Sequence, residues 1–484
     1  MIEFPQEYNN KTSITNLTEV ISYENLQQKV VLLEKFYQNL GVKKIDQVGI
    51  HIKDQTSFLL NYIALWNLGA TIVLFDQQIK SELFDKQISG VELNWLVTDK
   101  AYPKFFLITK TTEIFYYSIS CAPSNLSKLY DNSRGFVILF TSGTENIPKP
   151  VVLKKDAILS NVRKVIEYTK LSSDDSTLLT LPLSYSYAMS QCLSHLLAGA
   201  TVHFIKFGFL PELILDKIPK TAITNFAATP YFFEILSCKI LEKKVDKLLF
   251  SNLRFFMNAG GFISPSTIKT IVNYLDNIKF FNNYGQTEAS PRLSYACFNK
   301  NSEYFDGVGK PIKGVKIFTN VPKGQVGKIY YHSEDFMLGY YNDIINPTAR
   351  KLNSKKVATG DIGKIIRDNE LVLMGRTDDM IKLNGRKCYL LHIQNKIQQI
   401  DNIKHVKLIK KRHEQYGEYL EAIVVLSSYS NILELERIKQ QFREVLPAHE
   451  IPKSIRLVKQ LTMTSNGKIN RKEIEKINEL HAGS

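Results

Sequence analysis

Two distant segments hold the residues best suited to chemistry. Phe140-Thr141-Ser142-Gly143-Thr144-Glu145-Asn146-Ile147-Pro148-Lys149 sets small hydroxyl side chains around a glycine and ends in a lysine. Backbone N–H groups and hydroxyls in such a loop can wrap a phosphate, and Lys149 adds positive charge. It is not a Walker A loop, because the GxxxxGK[ST] spacing is absent, and the same residues also make an ordinary turn. The second segment, Thr464-Ser465-Asn466-Gly467-Lys468-Ile469-Asn470-Arg471, puts one lysine on a basic turn near the end of the sequence. Three shorter stretches lie between them. Tyr284-Gly285-Gln286-Thr287-Glu288 pairs an aromatic that can stack on a base with a threonine and a carboxylate suited to phosphate and Mg²⁺. Asn258-Ala259-Gly260-Gly261 allows a flat ligand close to the backbone. Thr359-Gly360-Asp361 offers a carboxylate to vicinal ribose hydroxyls, with Arg376 as a further donor. Each triplet taken alone also reads as a strand-end or surface turn.

The elements around these stretches alternate. Gln47–Ile52 reads as a strand, Ser57–Leu68 as a helix and Ala70–Phe75 as a strand. The alternation recurs at Phe136–Phe140, Ser160–Thr169, Thr177–Leu181, Ser190–Leu197 and Thr201–Ile205. Strands interleaved with helices predict parallel sheets with helices on their faces. From Gly307 the strands shorten and turns multiply, as in Gly327–Tyr331 and Glu370–Met374, which predicts a small antiparallel, barrel-like part. A boundary is expected at Gly375–Asp379, dividing an N-terminal core, residues 1–377, from a mobile C-terminal α+β lid, residues 378–484. Within the lid, strands are expected at His405–Lys410 and Glu421–Leu426 and a helix at Asn431–Val445.

Composition narrows the classes. The 484 residues are 44% hydrophobic and 23% charged, ordinary for a globular chain of several subdomains. No run approaches the ~18 apolar residues of a membrane span, and the first ten residues lack the apolar core of a secretory signal. The net charge of +15 is spread among acidic and apolar residues without a dense basic tract, which argues against nucleic acid as the partner. A basic surface would instead attract ATP, an acidic carrier or CoA. Five cysteines, at 121, 192, 238, 297 and 388, form no CxxC pair, so neither a zinc site nor a disulfide framework is expected, and the cytoplasm is the expected compartment.

Order and spacing together give these segments a specific likeness. Along its whole length the chain resembles the AMP-forming adenylating enzymes: acyl-CoA synthetases, stand-alone adenylation domains and luciferases. Thr141–Lys149 resembles their phosphate loop, Asn258–Gly261 the adenine-backbone segment and Tyr284–Glu288 the YGxTE segment. Gly339-Tyr340-Tyr341-Asn342 resembles the GYxN turn, Asp361 the ribose-binding aspartate, Gly375–Gly385 the hinge, and Gly467-Lys468 the C-terminal lysine motif. Glu145, Asn146 and Pro150 depart from the usual Thr, Gly and Gly. A carboxylate near a triphosphate and a stiffer loop predict slow or selective turnover. His392 stands where many members carry a glutamate.

The resemblance implies ATP-dependent activation of a small carboxylic acid to an acyl-adenylate, then transfer to the thiol of CoA or of a carrier protein's phosphopantetheine. By the same likeness Lys468 would act at the reacting carboxylate and Glu288 would hold Mg²⁺. Thr141, Ser142, Gly143, Thr144, Lys149 and Thr287 would contact phosphates. Tyr284 would stack on adenine, beside the backbone of Ala259, Gly260, Gly261 and Gly285, and Asp361 with Arg376 would fix the ribose. Asp378 would be the hinge, with Lys382 and Gly385 on the thiolation face. The acyl pocket would be lined by Tyr185, Ser186, Tyr187, Ser190, Phe226, Asn283, Pro291 and Arg292. Amino-acid-activating relatives carry an aspartate about where Ser186 falls, so its absence argues against an ordinary α-amino acid. Arg292 is open to two readings, a partner for a second acidic group or a structural arginine. A stand-alone amino-acid adenylation enzyme with an atypical pocket and a non-catalytic nucleotide-binding scaffold are the alternative functions.

Overall fold

Runs of β-branched and aromatic residues flanked by turns become strands, and those covered on both faces are buried at every position. Gln47–His51 and Thr71–Leu74 are of this kind. Such burial is the mark of a parallel sheet wrapped by helices. The computed structural model describes residues 1–16, 19–77, 79, 81–102, 105–111, 113–120, 126, 135–141, 148–205, 211, 214–215, 218, 222–346, 356–383, 386–413, 417–426, 433–459 and 461.

Two large sheets build the N-terminal part. The first has eight strands in the order Gly339–Tyr340, Pro150–Lys154, Phe136–Phe140, Thr71–Leu74, Gln47–His51, Trp95–Thr98, Phe115–Ser118 and Phe106–Lys110. Its centre is parallel and both edges are antiparallel. The second has nine strands in the order Lys310–Pro311, Arg292–Phe298, Lys279–Gly285, Phe255–Asn258, Asn225–Ala228, Ser176–Leu179, Thr201–Phe204, Thr12–Thr15 and Val20–Ser22, again with a parallel middle. Helices Tyr23–Leu40, Gln55–Leu68, Lys155–Thr169 and Ser186–Leu197 pack with these sheets, and one apolar cluster runs from Ile50 and Ile72 of the first sheet to Leu179 and Val202 of the second. Gln55–Leu68 is apolar almost all round, as a helix covered on every side must be. Asp54 accepts from the Ser57 N–H at its start, and Gly69 ends it at φ +83°.

The change of texture at Gly307 marks a four-stranded antiparallel sheet, Lys316–Thr319, Gly327–His332, Val357–Ile365 and Leu371–Arg376. Among the described residues its strands pair in that order. Beyond it lie the hairpin Met380–Leu383/Arg386–Tyr389 and a three-stranded sheet, Ile403–His413, Gly417–Leu426 and Ser454–Leu457. Helices Leu390–Ile397 and Leu433–Val445 close a separate core there through Ile393, Ile397, Ile438 and Phe442. The chain is thus a mixed α/β fold with a large N-terminal sheet region and a smaller C-terminal α+β unit. No helix among the described residues is long and apolar enough to cross a membrane.

Candidate active site

The parallel strands aim their C-terminal ends at one region, the usual place for a ligand in an α/β sheet. Thr141 leaves strand Phe136–Phe140 there, and Lys149 returns into Pro150–Lys154, whose first residue pairs with Phe140. The loop base is closed by the Thr141 N–H donating to the Lys149 carbonyl at 3.0 Å and the Lys149 N–H donating to Thr141 Oγ1 at 3.2 Å. Thr141 and Lys149 therefore follow and precede two antiparallel strands that pair with each other. The loop's inner residues, Ser142, Gly143, Thr144, Glu145 and Asn146, lie outside the described residues.

The return strand recruits a third segment. Gly339 and Tyr340 pair antiparallel with Val152 and Val151. The Tyr340 phenol then donates to Glu288 Oε1 at 2.9 Å, while the Lys149 ammonium lies 5.9 Å from the Tyr340 ring centre. Glu288 sits in the short 3₁₀ turn Thr287–Ala289. Its carbonyl accepts from the Met337 N–H at 2.7 Å and from the Tyr331 phenol at 3.0 Å. Burial, and then the charge of Glu288, push the Tyr340 phenol above its ordinary range, so it stays a neutral donor. Among the described residues Glu288 forms no salt bridge. Carboxylate oxygens are hard donors, which suits Mg²⁺.

The turn that carries Glu288 depends on a glycine. A Cβ at Gly285 would lie 1.9 Å from the Pro291 carbonyl oxygen, so no other residue fits the crossing between strands Lys279–Gly285 and Arg292–Phe298. One residue earlier, Tyr284 is 7% exposed. Its phenol donates to Asp361 Oδ2 at 2.5 Å. Arg376, directly opposite Asp361 across a strand pair, holds Nε 3.6 Å from Oδ1. The Asp361 N–H donates to Thr359 Oγ1 at 3.0 Å. Burial raises the Asp361 carboxyl above the usual aspartate range, and Arg376 and Tyr284 oppose that rise only in part.

The expected pocket residues divide. Helix Ser186–Leu197 starts beside the turn, and Ser186 Oγ lies 3.5 Å from Thr287 Oγ1. The Tyr187 phenol donates to the Met257 carbonyl at 3.0 Å. The Arg292 guanidinium lies 5.1 Å from the Tyr187 ring centre. Asn283 Oδ1 accepts from the Tyr168 phenol at 2.8 Å. The Ser290–Pro291 peptide bond is cis. Tyr185 turns toward the first sheet, donating to Asp76 Oδ2 at 2.8 Å. Ser190 is buried in the helix with no hydrogen-bond partner for Oγ. Phe226 does not join the group. Its ring meets that of Phe232 at a tilt, centres 4.7 Å apart, in the core beneath helix Pro230–Leu241, while Ala227 packs with Tyr187 on the other face. Ala259 follows strand Phe255–Asn258 and donates its N–H to the Ala228 carbonyl at 3.3 Å; Gly260 turns the chain at φ +86°, and a Cβ at Gly261 would meet Pro230 Cγ at 3.2 Å. Tyr340, Tyr168 and Asn161 were not singled out as side chains in the sequence. The GYxN turn signals the first, but nothing local signals the other two.

In the C-terminal unit, the Asp378 carbonyl accepts from the Lys410 ammonium. Lys382 is exposed, and its N–H donates to Glu418 Oε2 at 3.4 Å. Gly385 and Lys468 lie outside the described residues. His405 Nδ1 sits 3.2 Å from Glu234 Oε2 of helix Pro230–Leu241, joining the unit to the N-terminal part. Cys388, His449 and Glu450 bring potential metal-ligand atoms within 4.8 Å of one another, but Glu450 is already paired with Lys396 at 3.0 Å.

Gramicidin S synthase 2 of Brevibacillus brevis is 25% identical over 492 residues, 94% of this chain, and the chain spans only 10% of that protein's length. D-alanine--D-alanyl carrier protein ligase of Staphylococcus aureus (strain Newman) is 26% identical over 366 residues, 72% of this chain and 73% of that protein. The amide bond synthetase McbA from Marinactinospora thermotolerans shares the fold, with a TM-score of 0.80 at 19% identity over 96% of each chain. The model of the AMP-binding enzyme C-terminal domain matches residues 392–468. Since the AMP-binding enzyme model itself matches residues 3–341, the chain belongs to the AMP-binding enzyme family.

Proposed function

We propose that the chain activates a small carboxylic acid with ATP and passes the acyl group to a thiol. In the first step a carboxylate oxygen attacks the α-phosphorus, the bond to the β-phosphate breaks, and pyrophosphate leaves with its electron pair. In the second, a thiolate attacks the acyl carbonyl and AMP departs. Two anions must meet in the first step, so this chain's contribution is positioning and charge compensation. The observation that carries the reading is the junction of Lys149, Tyr340 and Glu288, where three segments far apart in sequence meet at the Tyr340 side chain.

In this reading Thr141, Ser142, Gly143, Thr144, Lys149 and Thr287 hold phosphates. Glu288 would hold Mg²⁺, which supplies further charge compensation. Tyr284 offers its ring to adenine beside Ala259–Gly261, and Asp361 takes the ribose hydroxyls with Arg376 near. Lys468 stabilises charge at the reacting carboxylate. The N-terminal core, residues 1–377, keeps the nucleotide while residues 378–484 swing about Asp378, which would part the His405–Glu234 contact and bring Lys382 and Gly385 toward the thiol arm. CoA and a carrier protein present the same phosphopantetheine thiol. The carrier-protein ligase relative favours a carrier as the acceptor.

The test is ATP–pyrophosphate exchange across a panel of carboxylic acids, with hydroxylamine trapping of the acyl-adenylate. Exchange with at least one acid, lost in Glu288→Gln, is expected. Folded, ATP-binding protein that exchanges with no acid would overturn the reading in favour of a nucleotide-binding scaffold.

A further inference from the structure

Among the described residues no acidic side chain balances the charge of Arg292. It is 3% exposed, its Nε has no hydrogen-bond partner, and among the described residues it forms no salt bridge. Its neighbours are neutral. The guanidinium lies 5.1 Å from the centre of the Tyr187 ring, and it opposes the burial that raises the Tyr187 and Tyr168 phenols. Tyr168 gives its own proton to Asn283 Oδ1 at 2.8 Å. Enclosing a cation among phenols and amides without an anion costs several kcal/mol.

The guanidinium's side-chain hydrogen-bond partner is the neutral Tyr168 phenol. The backbone at this position is held independently of the side chain, with the Arg292 N–H donating to Asn161 Oδ1 at 3.1 Å and Asn161 Nδ2 donating to the Arg292 carbonyl at 3.0 Å. The position is also linked to the reaction centre proposed above. The Arg292 guanidinium lies against Tyr187, whose chain neighbour Ser186 is 3.5 Å from Thr287 in the turn that holds Glu288. A buried cation with no acidic partner among the described residues is thus connected to that turn through residues 186 and 187.

We propose that Arg292 binds a second carboxylate on the acid, so that this chain activates dicarboxylic acids at the end away from the guanidinium. The proposal rests on the adenylation reading and deepens it. The same unbalanced charge explains why Ser186, with no carboxylate at its position, suffices: a substrate ammonium would meet a cation here, not an anion.

The experiment compares diacids with their own monoamides, so that size and shape stay nearly constant while one charge is removed. Succinate, glutarate, adipate and isophthalate are each assayed beside the monoamide by ATP–pyrophosphate exchange, with the parent, Arg292→Met and Arg292→Lys. The parent is expected to use at least one diacid ~10²-fold better in kcat/KM than the monoamide, because a site built for a polar group rejects the analogue that leaves it unpaired. Arg292→Met should abolish that preference, with the loss appearing in KM, and Arg292→Lys should retain part of it. Exchange with monoacids or monoamides as good as with diacids overturns the proposal and leaves adenylation standing; so does a diacid preference that survives in Arg292→Met. Exchange with no acid at all overturns the adenylation reading itself. Should Arg292→Met fail to fold, the parent's panel and Arg292→Lys still decide.

Discussion

Removing one oxygen from Tyr340 tests the junction at Glu288 most directly. Tyr340→Phe keeps the ring under the Lys149 ammonium and the strand pairing of Gly339–Tyr340, and deletes only the hydrogen bond to Glu288 Oε1 at 2.9 Å. A hydrogen bond to an ionised group contributes ~1.5–3 kcal/mol. Tyr340 is half-buried, which puts the expected value toward the lower part of that range. If the bond holds the carboxylate where MgATP needs it, the loss appears in kcat/KM for MgATP as ~10–10² -fold at ~1.4 kcal/mol per decade. The Mg²⁺ concentration for half-maximal exchange should rise with it. Urea unfolding of the same preparations supplies the control, with a midpoint shift expected to be small. Unchanged exchange per folded molecule, with the full ~1.5–3 kcal/mol lost from stability instead, would refute the reasoning and make Tyr340 a packing residue.

Four further outcomes are expected. Lys468→Ala should lower adenylation ~10²–10³-fold, the scale for removing a transition-state charge partner, and pyrophosphate exchange equal to the parent's would exclude the assignment. Because burial raises the Asp361 carboxyl, the KM for ATP should begin to climb on acidification at a higher pH than an ordinary aspartate would give, and Asp361→Asn should flatten that profile; the sign for stability is opposite, since this raised carboxyl favours the fold at low pH and the benefit is lost as pH rises through the folded-state value. Gly285→Ala should cost at least ~3 kcal/mol in denaturant unfolding, because its Cβ would stand 1.9 Å from the Pro291 oxygen. Lys155 is buried with its ammonium donating to the Trp66 and Ala70 carbonyls at 3.1 and 2.8 Å, and burial pulls it down to about 7. Lys155→Met should therefore lose ~1–3 kcal/mol by orphaning two carbonyls. It should also lose the parent's gain in stability as pH rises from about 7 toward the unfolded lysine value, where the unfolded chain binds more protons.

Much of the scaffold is legible because it is local. The alternation that predicts Gln47–Ile52, Ser57–Leu68 and Ala70–Phe75 is realised as Gln47–His51, Gln55–Leu68 and Thr71–Leu74, since β-branched runs and capped apolar segments decide within a dozen residues. The facing of Phe226 is not a local property. Strand Asn225–Ala228 is buried at every position, so its sequence has no polar alternation to tell which face borders the pocket. Contacts that complete the candidate site are longer still: Tyr284 meets Asp361 across 77 residues and Tyr340 meets Glu288 across 52. Motif order places those residues in one family of sites, but only the folded chain pairs phenol with carboxylate.

Those pairings share a logic that bears on the proposed chemistry. Glu288 and Asp361 are each met by a tyrosine that burial keeps protonated, so each carboxylate gains a neutral hydrogen-bond donor. A lysine in either place would have neutralised it. Arg376 comes nearest to doing so at Asp361, and its 3.6 Å approach and half-exposed side chain leave that pairing weak. At the far end of the same contact chain Arg292 is treated in the opposite sense, a cation given phenols and an amide but no anion. Negative charge is thus preserved where Mg²⁺ and ribose are proposed to bind, and positive charge where the acid's distal end would lie. An acid with a carboxylate at each end would be oriented by that separation, one end held by Arg292 and the other presented to the α-phosphate. A neutral-tailed acid would leave the deeper charge unmet, so discrimination should arise in binding before any bond is made.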